Sequence, residues 1–337
     1  MSFLKKGISV FLGAILIFGT AAVSLAETKV SGNLKLMYNF VKDENDENSG
    51  DSVISQDGGE LKIYFDNKLN DNVNSRITLK GYLDAMSDSD RAKPYNYIDE
   101  YYVNANSKYG TFKAGKWGFK PKGKIDVLDT AFGDFKAEQA VQWTYAFENG
   151  IKTGLWTVLD RSSLAEVVGD HAYVATLGWA KDKLIDFDVN LVDTGNEADI
   201  RKVLKGNKKT NSKADLLNST YGEGTQTGYN VNLALCMFDP VVRPFFHYGK
   251  DDIKGALNDE VWIIGATGKI GAWDLLVEYQ LDDDYVKGTT SYKNLDNAYG
   301  CKIKYNFKNK MNLEWKYYKY DDGLDKEKNE LGLNIPF

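Results

Sequence analysis

Apolar and polar residues alternate in short segments along this chain, and the polar positions of these segments carry charges. The pattern is clear in residues 185–191, 273–279 and 311–318. Alternation of this kind predicts a β-strand with one apolar face and one polar face. A charged face cannot fill a packed core, and a Lys facing the bilayer midplane costs about 2–4 kcal/mol. The charged phase is therefore expected to line a wet interior, and the apolar phase to face lipid.

Turns and loops separate these segments in a regular order. Tight turns rich in Asn, Asp, Gly and Pro are expected at 70–72, 108–110, 148–150, 181–183, 239–240, 270–272 and 308–310. Long connections are expected around 42–59, 86–96, 119–137, 161–170, 194–225, 250–258, 283–295 and 321–329. Because short and long connections alternate, the short ones share one rim of the sheet and the long ones the other. This asymmetry is typical of outer-membrane barrels.

The fold class predicted from this pattern is all-β: a transmembrane antiparallel barrel of about sixteen strands. A gained or lost hairpin would give 14 or 18 strands instead. A soluble two-sheet sandwich also alternates, with its apolar phase inside. The regular order of connections and the terminal strand 331–337, which ends on Phe337, favour the barrel. The terminal strand is expected to pair with the strand that begins at Val30, with Pro336 where the pairing ends.

The first 26 residues have the form of a cleaved secretory signal peptide. Lys5 and Lys6 precede an apolar run, and Ser24-Leu25-Ala26 ends on small residues suited to a signal peptidase. An uncleaved transmembrane helix is the alternative. Residues 27–337 are then expected to form one domain, exported to the outer membrane of a Gram-negative cell.

Composition excludes several classes of function. The net charge is −6, which disfavours nucleic acid as a partner. The two cysteines, Cys236 and Cys301, are expected on opposite faces of strands that are not neighbours, so a disulfide is not expected. The two histidines form no recognisable catalytic constellation, and no metal-ligand spacing or phosphate-cradling loop appears. The chain is therefore not expected to be an enzyme or to hold a cofactor.

The third long connection, 119–137, has an unusual composition for a solvent-exposed loop. Its apolar residues are Ile125, Val127, Leu128, Phe132 and Phe135, spaced as in a short helix or compact turn. An apolar loop of this length is expected to pack onto the inner wall, with its Asp residues lining a constriction. The alternative is an external loop or a contact between subunits.

The chain resembles the general diffusion porins of Gram-negative outer membranes, which are sixteen-stranded and usually trimeric. Residues 109–116, Tyr-Gly-Thr-Phe-Lys-Ala-Gly-Lys, resemble the porin segment that leads into the third loop. Residues 130–134, Thr-Ala-Phe-Gly-Asp, resemble the tip of that loop, although the Pro and Glu of the family pattern are absent. The resemblance implies a third loop folded into the lumen, with its carboxylates facing basic residues on the wall.

Two sets of charged residues are the candidates for the site. The acidic residues of the loop are Asp126, Asp129, Asp134 and Glu138, and the basic residues of the pore wall are Lys62, Arg76, Lys80 and Lys116. The resemblance supplies Lys62 and Lys116, whereas Asn33 stands where the family can have a Lys. Arg76 and Lys80 alternate with Ile77 and Leu79 and so fall on the polar phase.

The predicted function is a water-filled channel for passive diffusion of ions and small hydrophilic solutes, with a charged constriction. A porin selective for anions, phosphate or sugars is an alternative, the last kept open by Tyr64, Tyr82 and Tyr102. A non-conducting structural or adhesin barrel is another. The expected partners are the lipid bilayer, lipopolysaccharide and two further copies of the chain in a homotrimer. The acidic segments 43–47 and 282–284 are expected to be solvated loop tips, with loosely bound Ca²⁺ there as the alternative.

Overall fold

A computed structural model of the chain describes residues 27–42, 59–82, 96–119, 123–126, 128, 135–136, 139–158, 173–181, 184–193, 226–253, 257–286, 297–320 and 326–337. The predicted signal peptide lies outside these ranges. The described residues contain no helix long and apolar enough to cross a membrane.

Eighteen strands are found in the described part of the chain. They are β1 (Glu27–Lys42), β2 (Gly59–Lys68), β3 (Val73–Tyr82), β4 (Asn96–Ser107), β5 (Gly110–Lys116), β6 (Gly118–Phe119), β7 (Phe135–Lys136), β8 (Ala140–Ala146), β9 (Ile151–Val158), β10 (Tyr173–Lys181), β11 (Ile185–Asp193), β12 (Gln226–Leu235), β13 (Val242–Ile253), β14 (Leu257–Ile270), β15 (Trp273–Val286), β16 (Ala298–Asn306), β17 (Asn312–Tyr320) and β18 (Lys326–Pro336).

All of these strands except β6 and β7 form one closed antiparallel barrel, in which each strand pairs with its neighbours along the chain and β18 pairs with β1. The described residues thus give the sixteen-stranded barrel predicted from the alternation. The two-residue strands β6 and β7 pair only with each other, inside the connection between β5 and β8.

In strand β15, the two alternating sets of side chains differ in their exposure. Trp273, Leu275, Val277 and Leu281 are 36–57% exposed, whereas the side chains between them include Leu276, Glu278 and Gln280, each at most 4% exposed. Exposed apolar side chains on one face and buried polar side chains on the other are the reverse of a soluble protein. The exposed phase therefore faces lipid and the buried phase faces the interior of the barrel.

Aromatic side chains gather near the short-turn rim on the lipid-facing phase. The Trp273 and Tyr305 rings are 4.7 Å apart, and the Tyr305 and Phe307 rings 4.8 Å apart. The indole N–H of Trp143 donates to the backbone carbonyl of Tyr109 at 2.8 Å. Rings with an apolar body and a polar contact suit the interface between hydrocarbon and water.

All seven predicted tight turns join adjacent strands of the barrel. Some predicted long connections are too long: residues 283–286 of the connection 283–295 belong to β15, and residues 250–253 and 257–258 of the connection 250–258 belong to β13 and β14. These strands continue because Lys250 pairs with Glu260 across the ladder, in salt-bridge contact on the outer phase. The charged residues that were expected to form a loop thus extend the β13–β14 hairpin beyond the apolar band of the barrel.

The two cysteines are free, and the two strands they belong to or follow, β16 and β12, are not neighbours in the barrel. Cys236 is buried just after β12, in phase with the buried Ala234, whereas Cys301 of β16 is paired with the exposed Val277.

Candidate functional site: the loop after β5 and the charged inner wall

The connection between β5 and β8 begins on one side of the barrel and contacts the other. In the closed ring of sixteen strands, β5 and β15 are eight positions apart. Ile125 and Leu128 of the connection are 1% and 3% exposed and belong to one buried cluster with Ile263 and Leu276, which lie on the inner phase of β14 and β15. Both side chains are thus buried among residues of β14 and β15, whereas the inward fold of the whole loop stays a prediction. Val127 and Phe132 lie outside the described residues.

Glu278 of β15 holds this segment by its backbone. One carboxylate oxygen accepts the backbone N–H of Asp126 and the other accepts the backbone N–H of Leu128, both at 2.7 Å. Glu278 is 4% exposed. A buried carboxylate with two backbone donors forms strong charge-assisted hydrogen bonds, so Glu278 fixes the position of the segment on the wall.

Asp126 is surrounded by wall lysines. Its carboxylate is in ion-pair contact with Lys302 of β16 and lies 3.7 Å from the Nζ of Lys316 of β17. Lys316 also lies 3.7 Å from Glu314. Asp126, a predicted constriction residue, thus contacts two basic residues of the wall that sequence reasoning did not single out.

Hydrogen-bonded polar side chains of β11, β12 and β13 lie next to the start of this segment, at Gly123. Asn232 donates to Asp188 at 2.7 Å, and its side-chain oxygen lies 2.7 Å from the Nδ1 of His247. Gly123 has a φ of +60°, and a Cβ added there would lie 2.5 Å from the Asn232 side-chain oxygen. Only glycine therefore fits this close approach without displacement.

A cavity of about 300 Å³ lies between the segment and the short-turn rim. Its charged lining includes Lys124, Asp126, Asp239, Arg243 and Lys302. Hydrogen bonds from Arg243 lower the pKa of Asp239, which lies in the turn before β13. Charged side chains of both signs therefore border this cavity, together with apolar residues of the wall such as Leu276.

Three of the predicted basic residues lie together on the inner phase of β2 and β3. The Lys62 Nζ is 2.9 Å and the Lys80 Nζ 2.5 Å from the carboxylate of Glu60. Arg76 makes a two-pronged ion pair with Asp66, with nitrogen–oxygen distances of 2.6 and 3.0 Å. Each of these cations is thus paired with a carboxylate on the same strip of wall.

The prediction for Lys116 is not supported by the register. Lys116 pairs with Tyr101, which in turn pairs with Ile77, and these two residues are 36% and 41% exposed on the lipid-facing phase. The inner phase of β5 instead carries Lys113. Its Nζ lies 3.7 Å from the centre of the Tyr102 ring and 4.5 Å from that of Trp117. The strand alternates as expected, but the resemblance selected the lysine of the wrong phase.

The structure does not describe the side chains of the remaining predicted acidic residues. Asp129, Asp134 and Glu138 are outside the described ranges, as is the acidic segment 43–47. Asp282, Asp283 and Asp284 lie in β15, where only the backbone is described. Among described residues, no three His, Cys, Asp or Glu side chains are grouped to hold a metal ion.

Comparison with known proteins agrees with this architecture. Residues 13–335 match the family model of Gram-negative porins. Comparison with curated proteins gives no significant match.

Solved porin structures share the fold at low sequence identity. OmpF of Salmonella typhi, solved with daunomycin, is 9% identical, with a TM-score of 0.65 over 92% of this chain and 97% of that one. An anion-selective porin from Comamonas acidovorans is 12% identical, with a TM-score of 0.59 over 93% and 100% of the two chains. A trimer form of OmpT from Vibrio cholerae is 10% identical, with a TM-score of 0.58 over 93% and 99%. With the family model covering nearly the whole sequence, the chain belongs to the Gram-negative porin family, whose members form channels in the outer membrane.

Proposed function

We propose that this porin passes ions and small hydrophilic solutes through a constriction between the loop after β5 and the charged wall of β1–β5. The observation that carries the proposal is the pair of hydrogen bonds from the backbone of Asp126 and Leu128 to Glu278, eight strands from where the loop begins. A loop tethered across the interior leaves only part of the cross-section for water. Sixteen strands enclose enough space for an aqueous path beside it.

Charges of both signs border the proposed path. Glu60, Lys62 and Lys80 lie on one wall, whereas Asp126, Lys302 and Lys316 lie where the loop meets the other. Charged side chains that surround a narrow pore select solutes by charge and orient dipoles. Because carboxylates are interspersed with the cations, we expect moderate rather than strict ion selectivity.

Single-channel recording of the folded protein in planar bilayers tests the proposal. The expected result is stepwise, ohmic conductance that rises with salt concentration. If protein verified as folded by its heat-dependent gel mobility gives no conductance steps, the channel proposal fails. The non-conducting structural or adhesin barrel would then be the better account.

A sugar-selective channel is the second candidate, because Tyr64 and Tyr102 lie on the inner phase. Their faces are already engaged: Arg76 lies 5.1 Å from the centre of the Tyr64 ring, and Lys113 lies 3.7 Å from that of Tyr102. An aromatic surface covered by cations has less area for stacking on sugar rings. This favours charged or strongly hydrated solutes over sugars.

We further propose that the chain assembles as a homotrimer in contact with lipopolysaccharide, as the trimeric OmpT structure suggests by analogy. Catalysis and a resident cofactor are not part of the proposal.

Weak Ca²⁺ binding at residues 43–47 stays a prediction. It would be detected as a calcium-dependent change in thermal stability that the substitution of Asp43, Glu44, Asp46 and Glu47 by Asn or Gln abolishes.

A further inference from the structure

Lys113 occupies a setting different from that of the other cations nearby on the inner wall. Lys62, Lys80 and Arg76 each have a carboxylate oxygen within 2.9 Å. Within the described part of the chain, no carboxylate lies within ion-pair distance of Lys113, and its ammonium is held by aromatic rings instead. Among the described residues, its positive charge is therefore not neutralised by a direct contact.

The geometry around Lys113 forms a notch, which we define as Lys113, Tyr102 and Trp117. The two rings are 6.4 Å apart at an interplanar angle of 72°, and the ammonium lies against both. Trp117 is 3% exposed, which fixes one side of the notch, and Lys113 itself is half-buried. The rings stabilise the position of the ammonium by cation–π contacts, but they supply no carboxylate that would accept a hydrogen bond and neutralise its charge.

An ammonium has three N–H donors. Two ring faces satisfy at most two of them, and the described residues supply no carboxylate for the third, which we therefore assign to water or to a passing solute. An oxyanion that replaced this water would gain a charge-assisted hydrogen bond in partly desolvated surroundings. The notch also lies beside the proposed path of solutes. Trp117 begins the loop that we propose narrows the lumen, and Lys113 lies on β5, three residues after the turn that precedes this strand.

We propose that the notch of Lys113, Tyr102 and Trp117 is a binding site for small oxyanions, of which inorganic phosphate is the simplest. The site would retain phosphate or carboxylate groups briefly as they pass the base of the loop. The inference rests on the proposed channel function, since the anion reaches the notch through the lumen. Glu100 on β4 shares the inner phase with Thr78 and Tyr102, so its negative charge is expected to keep the affinity weak.

The test is titration of the KCl conductance of single channels with inorganic phosphate. In the wild type, phosphate should reduce the chloride current in a saturable manner. Lys113→Gln should raise the half-saturating phosphate concentration about tenfold, the value expected for loss of one charge-assisted hydrogen bond. Lys113→Arg should keep most of the effect, because it keeps the cation.

Lys62→Gln is the matched control, since it also removes one inward positive charge from the same wall. It should alter the overall ion preference but shift the half-saturating concentration less than about twofold, since a field effect is spread out and screened. Equal shifts for the two variants, an unchanged value for Lys113→Gln, or no effect of phosphate on the wild type would overturn the proposal.

Failure of the channel itself is detected separately. If the folded wild type does not conduct, phosphate binding is measured in detergent by the broadening of the ³¹P signal. Broadening in the wild type that is lost in Lys113→Gln supports the notch as a site, and its absence rejects it.

Discussion

Gly32 and Phe337 close the barrel as a reciprocally hydrogen-bonded pair. The N–H of Gly32 donates to the carbonyl of Phe337 at 2.9 Å, and the N–H of Phe337 donates back at 3.1 Å. The Phe337 ring folds over Gly32, and a Cβ at position 32 would overlap that ring. The last residue of the chain is thus accommodated by the absence of a side chain on the first strand.

This pair predicts that Gly32→Val and Phe337→Ala both impair barrel closure. Gly32→Val displaces the Phe337 ring, and Phe337→Ala removes the ring that packs over the end of the β1–β18 pairing. The folded fraction is measured by heat-dependent gel mobility after refolding from urea, and both variants should fold to a lower yield than the wild type. Gly332→Ala is the control, because a Cβ at position 332 meets nothing closer than 3.7 Å. If Gly332→Ala impairs folding as much as Gly32→Val, the ring contact is not the cause.

Glu278 is predicted to determine how firmly the loop is held. In Glu278→Ala, the backbone N–H groups of Asp126 and Leu128 lose their acceptors, at a cost of about 1–3 kcal/mol for each group left buried and unsatisfied. The loop should then leave its position part of the time, which would appear as increased open-channel current noise. Glu278→Gln removes the same charge but keeps one acceptor, so its noise should be intermediate. Equal noise in the two variants would attribute the effect to charge rather than to hydrogen bonding.

The register of β5 predicts that Lys113 and Lys116 differ in their access to the aqueous lumen. In a background lacking Cys236 and Cys301, Lys113→Cys should react with a charged, membrane-impermeant thiol reagent and alter the single-channel current. Lys116→Cys should react much more slowly, because its phase faces away from the water. A current change at position 116 with none at position 113 would reverse the assignment of the two phases.

The alternation of the sequence predicted the barrel because the same period of two recurs in strands along the chain, such as β11, β15 and β17. In β15 the residues expected to face lipid, such as Val277, are exposed, and those expected inside, such as Glu278, are buried. Tight turns were equally predictable, since Asn, Asp and Gly carry the required backbone conformations locally. The closing seam was expected as well, although the pairing continues one residue past Pro336 to Phe337.

The partners of the loop could not be predicted, because they depend on the order of strands around the ring. Asp126 and Lys302 are 176 residues apart in sequence. No local pattern distinguishes Lys302 or Lys316 from the other lysines of the polar phase. Lys116 was chosen by resemblance, whereas alternation counted from Thr111 would have given Lys113. The signal for the inward phase was present in the strand itself.

Reversal of one wall charge is predicted to shift ion preference. Lys62 lies 2.9 Å from Glu60 and 3.9 Å from Asp99. Lys62→Glu therefore creates a cluster of three carboxylates with fewer cations, which attracts cations and repels anions. The reversal potential in a KCl gradient should move toward the potassium equilibrium potential. Lys68→Glu changes the charge equally at the exposed rim, where Lys68 pairs with Asp71, and should produce a clearly smaller shift because of screening by salt.

We propose above that the loop after β5, held at Glu278, narrows a conducting lumen. The most direct measurement compares single-channel conductance of the wild type with that of a variant in which residues 120–134 are replaced by a short Gly-Ser linker. Both proteins should give ohmic steps, and the variant should have the larger conductance, because the tethered segment no longer occupies the lumen. Equal conductance in two folded proteins would mean that the tethered segment does not narrow the lumen.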